Sequence, residues 1–114
     1  MNKFLKDYSN KRANKQVEGY WWSKDNPKYI KPVPNILTED DAQTIHGLIL
    51  NKESHASKRA YMGCSDSRIT GETLGNLEYE TTEWIWPGDF ASHYVLEHKV
   101  KPSDEFLKYI GYYE

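Results

Sequence analysis

The stretch "VEGYWWSKDNPKYIKPVPN", residues 17–35, places Pro27, Pro32 and Pro34 close together. Proline fixes φ, carries no N–H, and pushes the residue before it out of the helical region. No helix can run through this stretch, and extended backbone is expected. The chain is thereby divided into an arm, residues 1–35, and a body, residues 36–114. The arm is too aromatic for a solvated linker. Tyr20, Trp21, Trp22, Tyr29 and Ile30 are expected to pin it to the body. Residues 1–16 fit a short helix with Phe4, Leu5 and Tyr8 on one face, a face too small to hold a helix alone.

A core must come from the body, and composition says what it is made of. Hydrophobic residues are 38% of the 114, but aromatics are 14%, with four Trp and nine Tyr. A few large rings can build the core of an otherwise polar domain of this length. Cys64 is the one cysteine, so an internal disulfide is excluded, and with it a disulfide scaffold. No apolar run approaches a membrane span, and the N-terminus has no apolar stretch of the signal-peptide kind. The expected compartment is the cytoplasm.

"LTEDDAQTIHGLILN" begins with a helix start signature, Thr38 with Asp41, and three acids in the first turn. Ala42, Ile45, Leu48 and Ile49 follow at helical spacing. "SKRAYMG" reads as a short strand. "GETLGNLEYETTEWIWP" reads as strand, turn, strand, with Leu77, Tyr79 and Thr81 on one side and Trp84 and Trp86 alternating on the next run. Pro87 and Asp89 open a second helix, whose buried stripe is Phe90, Ala91, Tyr94 and Val95 with His98 near its edge. Pro102 and Ser103 open a third, with Phe106, Leu107 and Ile110 inward and Gly111 at its end. The expected fold is α+β: a small antiparallel sheet, with a hairpin near 77–86, packed against two or three helices.

The segment from Gly63 to Phe106 carries "SDSRITGE", "LGNLEYE" and "WIWPGDFASHYVLEHKVKPSDEF". In these runs it resembles a family of short, largely uncharacterised bacterial and phage proteins. The resemblance covers about 40% of the chain and implies a fold but no activity. Many members carry Cys where this chain has Ser67 and Thr70, giving a C-R-x-C-G knuckle, and look like zinc modules closed by two histidines. Hydroxyls are poor zinc donors at neutral pH because they stay protonated, whereas structural zinc takes thiolate and imidazole. The expectation is therefore a degenerate module without metal or other cofactor. In it Ser67, Thr70, His93 and His98 form a polar network, because buried polar groups need partners. A rescued site built from Cys64, Asp66, His93 and His98 is the alternative.

Arg68 sits between the two hydroxyls. It either pairs with a body carboxylate such as Glu78, Glu80 or Glu83, or meets an anion on a partner or ligand. Trp21 and Trp22 are further candidate contacts. His93, His98, Glu97, Asp66 and Ser67 are residue types fit for acid–base or nucleophilic work. On an α-helix, however, positions 93 and 98 would lie roughly 140° apart. No P-loop, H-E-x-x-H, G-x-S-x-G or dinucleotide fingerprint is present.

Charge is uneven. Residues 1–32 hold eight of the 15 Lys/Arg and three of the 17 Asp/Glu, leaving seven against fourteen for the rest. A basic arm next to aromatics suits a single nucleic-acid strand, but a pI of about 6.1 does not match a nucleic-acid domain. The expected function is a small protein-binding module, of the size of an inhibitor, an immunity protein or a phage-encoded antagonist of a host factor. A nucleic-acid accessory protein using the basic arm and a small enzyme using His93 and His98 are the alternatives. A basic arm and an acidic body could also pair between copies as a homodimer.

Overall fold

The computed structural model describes residues 15–24, 27–60 and 65–113. The first helix, α1, spans Glu39–Glu53. Thr38 caps it, its Oγ1 accepting from the Asp41 N–H at 3.1 Å, and Glu39, Asp40 and Asp41 face the positive end of the dipole. Its buried stripe is Ala42, Ile45 and Ile49, while Leu48 is only partly covered.

Four strands follow the expected sites, with one addition. They are β1 (Gln16–Val17), β2 (Ser57–Ala60), β3 (Leu77–Glu80) and β4 (Trp84–Pro87). β3 and β4 form the expected hairpin, with Tyr79 opposite Trp86 and Glu80 opposite Ile85. β2 pairs antiparallel with β3 on the far side. The sheet order is β1-β4-β3-β2, and β1 runs parallel to β4. The sheet is therefore mixed rather than purely antiparallel. The arm supplies the reason: it lies along the edge of β4 and occupies backbone groups that would otherwise be an open edge. Gln16 N–H donates to the Glu83 carbonyl and Glu18 N–H to the Ile85 carbonyl, each at 3.0 Å.

Alternation along the strands gives the sheet two unlike faces. Trp84 and Trp86 meet the edge of Phe106, with centroids 5.1 and 5.5 Å apart, and Tyr79 stacks beside Trp86. Ile85 points the other way, on the side of Glu78 and Glu80. Arg59 Nε donates to Glu78 at 3.1 Å and its Nη2 to Glu80 at 2.7 Å. The Tyr20 hydroxyl also donates to Glu78, and Lys15 donates to Glu80. Glu78 is buried by these contacts.

The helix after β4, α2 (Phe90–Glu97), is wound as a π-helix, not as an α-helix. Its turns close on the fifth residue, as in the 3.1 Å bond from His98 N–H to the His93 carbonyl. Beyond it Lys99 takes a left-handed φ of 59°. Residues of the arm–α1 junction clasp this end. Asn35 N–H donates to the His98 carbonyl at 2.8 Å, and Ile36 and Leu37 N–H to that of Lys99. The short α3 (Asp104–Tyr109) starts at Ser103, whose Oγ accepts from Phe106 N–H. α1, α2 and α3 close over the tryptophan face around Phe90, Tyr94, Val95, Phe106 and Leu107.

The arm is tied to this core at two points. Trp21 lies against Phe90 and Tyr94, at 6.2 and 5.3 Å between centroids. The Glu18 carboxylate accepts from both the N–H and the Oγ of Ser103, each at 2.8 Å. Gly19 lets the arm come this close. Its φ is +79°, and a Cβ there would lie 2.7 Å from the Phe90 ring. The expected N-terminal helix with Phe4, Leu5 and Tyr8, the end of the "SKRAYMG" strand, and Cys64 lie outside the described residues. Among the described residues no helix is long and apolar enough to cross a membrane.

Candidate functional site

Residues 65–75 double back as a small loop. Leu74 N–H donates to the Ser65 carbonyl at 2.7 Å, Ser67 N–H to that of Glu72 at 2.8 Å, and Asp66 bridges to Thr73. Gly71, at φ +80°, makes the turn at the tip. Inside the tip, Ser67 Oγ accepts from the N–H groups of Ile69 and Thr70 at 3.1 and 3.0 Å. Its own hydrogen then faces His93, with the Tyr94 hydroxyl also within reach. His93 Nε2 lies 2.7 Å from the oxygen and accepts it. Both residues are buried.

This assignment fixes the ring. With Nε2 accepting, the proton of a neutral His93 sits on Nδ1. Nδ1 faces two carboxylates, Glu97 at 3.4 Å and Glu72 at 3.6 Å. Thr70 does not reach either imidazole. It turns to Glu72, its Oγ1 donating to Oε1 at 3.1 Å, and so joins the network through a carboxylate rather than directly. His98 meets His93 ring edge to ring face, with 4.7 Å between centroids. Its Nε2 is buried and has no hydrogen-bond partner among the described residues.

The π-winding brings the two histidines together. In an α-helix they would diverge around the axis, whereas an i→i+5 repeat returns the chain to the same side after five residues. Tyr94 adds a second tie between loop and helix, its Oη accepting from Arg68 N–H at 3.1 Å. Burial pushes the Tyr94 phenol up. Asp89, at the head of α2, accepts from Ser65 Oγ at 3.2 Å, and burial raises its carboxyl above the ordinary range. Asp66 stays on the exposed side of the loop, bonded to Thr73 rather than turned to the histidines.

Ser67, His93 and Glu97 stand at the distances of a serine–histidine–acid relay. The chemistry does not follow from the distances. Ser67 is 4% exposed, and both lone pairs of its oxygen are taken by backbone N–H groups. A nucleophile needs an open lone pair and a path for substrate. This serine fastens a loop to a helix.

Arg68 presents the contrast. Glu78 and Glu80, two of its expected partners, are taken by Arg59, Tyr20 and Lys15. The Arg68 side chain is exposed and lines a cleft of about 460 Å³ with Trp22, Ser23, Lys24, Lys31 and Pro32. Lys31 lies over the Trp22 ring, 4.9 Å from its centroid. Among the described residues no carboxylate lines the cleft. A smaller pocket of about 120 Å³ adjoins it, shares Ser23 and Arg68, and reaches Trp21. Of the paired tryptophans of the arm, Trp21 packs against the body and Trp22 faces the surface. Lys24 and Lys31 were not singled out by the sequence, where they are two of many arm lysines; folding sets them beside Arg68.

Comparison with protein-family models, curated proteins and solved structures finds no match for this chain.

Proposed function

We propose that the protein acts by binding another protein, and that the cleft between arm and loop takes up an acidic segment of that partner. The observation that carries this reading is the lining of the cleft: three cations and an indole, with no carboxylate among the described residues, on a chain whose net charge is −2. Arginine and tryptophan dominate binding hot spots, and opposite charge steers encounter. Ile30 and Val33 on the same arm are exposed and add apolar surface. Such a module suits an inhibitor or immunity protein. The resemblance to knuckle-bearing proteins enters as part of the same proposal: the Ser67–His93 bond holds the loop on α2 as a metal would in the Cys-bearing members.

The test is affinity capture from the source cells, with the wild-type chain and a Trp22→Ala/Arg68→Ala variant as baits. One stoichiometric protein should be retained after nuclease treatment, released at high salt, and lost with the variant. Retention that vanishes with nuclease would move the reading to nucleic acid. Capture indifferent to the double substitution would remove the cleft from the account.

A further inference from the structure

Beside His93 Nδ1 three donors converge, and a fourth group, Glu72 of the loop, reaches that nitrogen. One ligand atom from each of His93, Glu97 and His98 lies within 4.8 Å of the others. His93 Nδ1 is 3.4 Å from Glu97 and 3.6 Å from Glu72, and His98 Nε2 is 3.8 Å from Glu97. The last separation is too long for a hydrogen bond, which leaves a buried imidazole nitrogen unpaired among the described residues. Four donors around a cation at bond lengths near 2.0–2.2 Å stand about 3.3 Å apart in a tetrahedron. The separations from His93 Nδ1 to Glu97 and Glu72 are close to that value, whereas His98 Nε2 to Glu97 is longer and Glu72 stands outside the cluster of the other three. The two carboxylates are exposed, so Glu97 can close the remaining gap and Glu72 can swing in as the fourth ligand.

We propose that His93 Nδ1, His98 Nε2 and the carboxylates of Glu97 and Glu72 form a site for a divalent first-row cation of the zinc class. Two imidazoles and two carboxylates suit such an ion better than magnesium or calcium, which take oxygen ligands. The site shares the two histidines with the ligand set that the resemblance implies but takes carboxylates in place of positions 67 and 70. Binding at Nδ1 requires the other tautomer. The proton moves to Nε2 and donates to Ser67 Oγ in place of one of the two loop N–H groups, and the serine hydrogen turns to Tyr94, also within its reach. Ser67 then orients the ligand from behind, as a metal-bound imidazole requires. Because two of the four donors are exposed carboxylates, the ion is an addition to a formed site and not the staple of the fold.

The experiment uses the full chain, untagged and stripped with chelator, titrated with Zn²⁺ by calorimetry and with Co²⁺ by absorption. One equivalent should bind, with the intense d–d bands of a four-coordinate Co²⁺ and no thiolate charge-transfer band. His98→Ala and Glu97→Gln should each weaken Zn²⁺ binding by about tenfold or more. Glu97 is exposed, so its variant keeps the fold, which circular dichroism checks. Absence of binding to the wild-type chain overturns the proposal. So does affinity unchanged in both variants, or a charge-transfer band that disappears in Cys64→Ser.

Discussion

At the scale of single residues, one hydroxyl–imidazole bond does most to hold the 65–75 loop against α2. Ser67 and His93 are both buried, and each supplies what the other lacks. Removing one partner leaves the other desolvated and unpaired, at about 1–3 kcal/mol. His93→Ala should therefore lower stability by that amount in urea denaturation. Ser67→Ala should cost at least as much, since the Ile69 and Thr70 N–H groups also lose their acceptor. The double variant should show a coupling of at least about 0.5 kcal/mol. Additive losses would mean that the bond between the two side chains contributes nothing. Thr70, although a hydroxyl in the same loop, is exposed and bonded to an exposed carboxylate. A sequence treats the two positions as alike, and their difference comes from which one the tip encloses.

Among the elements, α3 is the one that depends most on its neighbours. It has six residues, too few to persist alone. Ser103 caps it and also holds Glu18, joining the arm to the helix start. Thr38 caps α1 in the same way, its Oγ1 accepting from the Asp41 N–H within its own helix. Thr38→Ala should cost about 1 kcal/mol. Ser103→Ala should cost about 2–3 kcal/mol, because a cap is lost and the half-buried Glu18 carboxylate loses a donor. Equal losses in chemical denaturation would show that the arm contact adds no stability. α2 illustrates a different dependence. Its apolar stripe, Phe90, Ala91, Tyr94 and Val95, is readable at helical spacing and is buried as expected. The same residues fit a π-turn once the end is clasped by Asn35, Ile36 and Leu37.

For the whole molecule, buried carboxyls shape the response to pH. Burial raises Glu18, Glu53 and Asp89 above their ordinary values, although hydrogen bonds to Ser103, Trp86 and Ser65 act against it. A carboxyl raised in the folded state binds more protons there than in the unfolded chain across the window between its two pKa values. Its contribution is present below the unfolded value and is lost as pH rises through the folded one. Glu80, held by Lys15 and Arg59, is lowered and acts in the opposite sense, losing its contribution as pH falls. Glu53→Gln keeps an acceptor for Trp86 Nε1 and removes the ionisation. The melting temperature of the variant relative to wild type should rise as pH increases from below about 4.5, then level off towards neutrality. A difference that is flat across that range would show that burial does not penalise this carboxylate.

The sequence by itself determined where elements begin and what the core is made of. Thr38 and Ser103 start helices, the strands alternate, and Trp84 and Trp86 go inside, because capping and periodicity are local and act within a few residues. Tertiary structure decided the rest. β1 exists only because the arm lies along β4, and Glu78 can be buried only because Arg59 and Tyr20 reach it from other segments. The histidine pair follows the same rule. Spacing alone puts His93 and His98 on diverging sides of an α-helix. The π-turn that reunites them accompanies bonds from residues 35–37 to the end of α2, some sixty residues away in the chain. No local pattern carries that information, since hydrogen bonds between distant segments form only once the whole chain is in place.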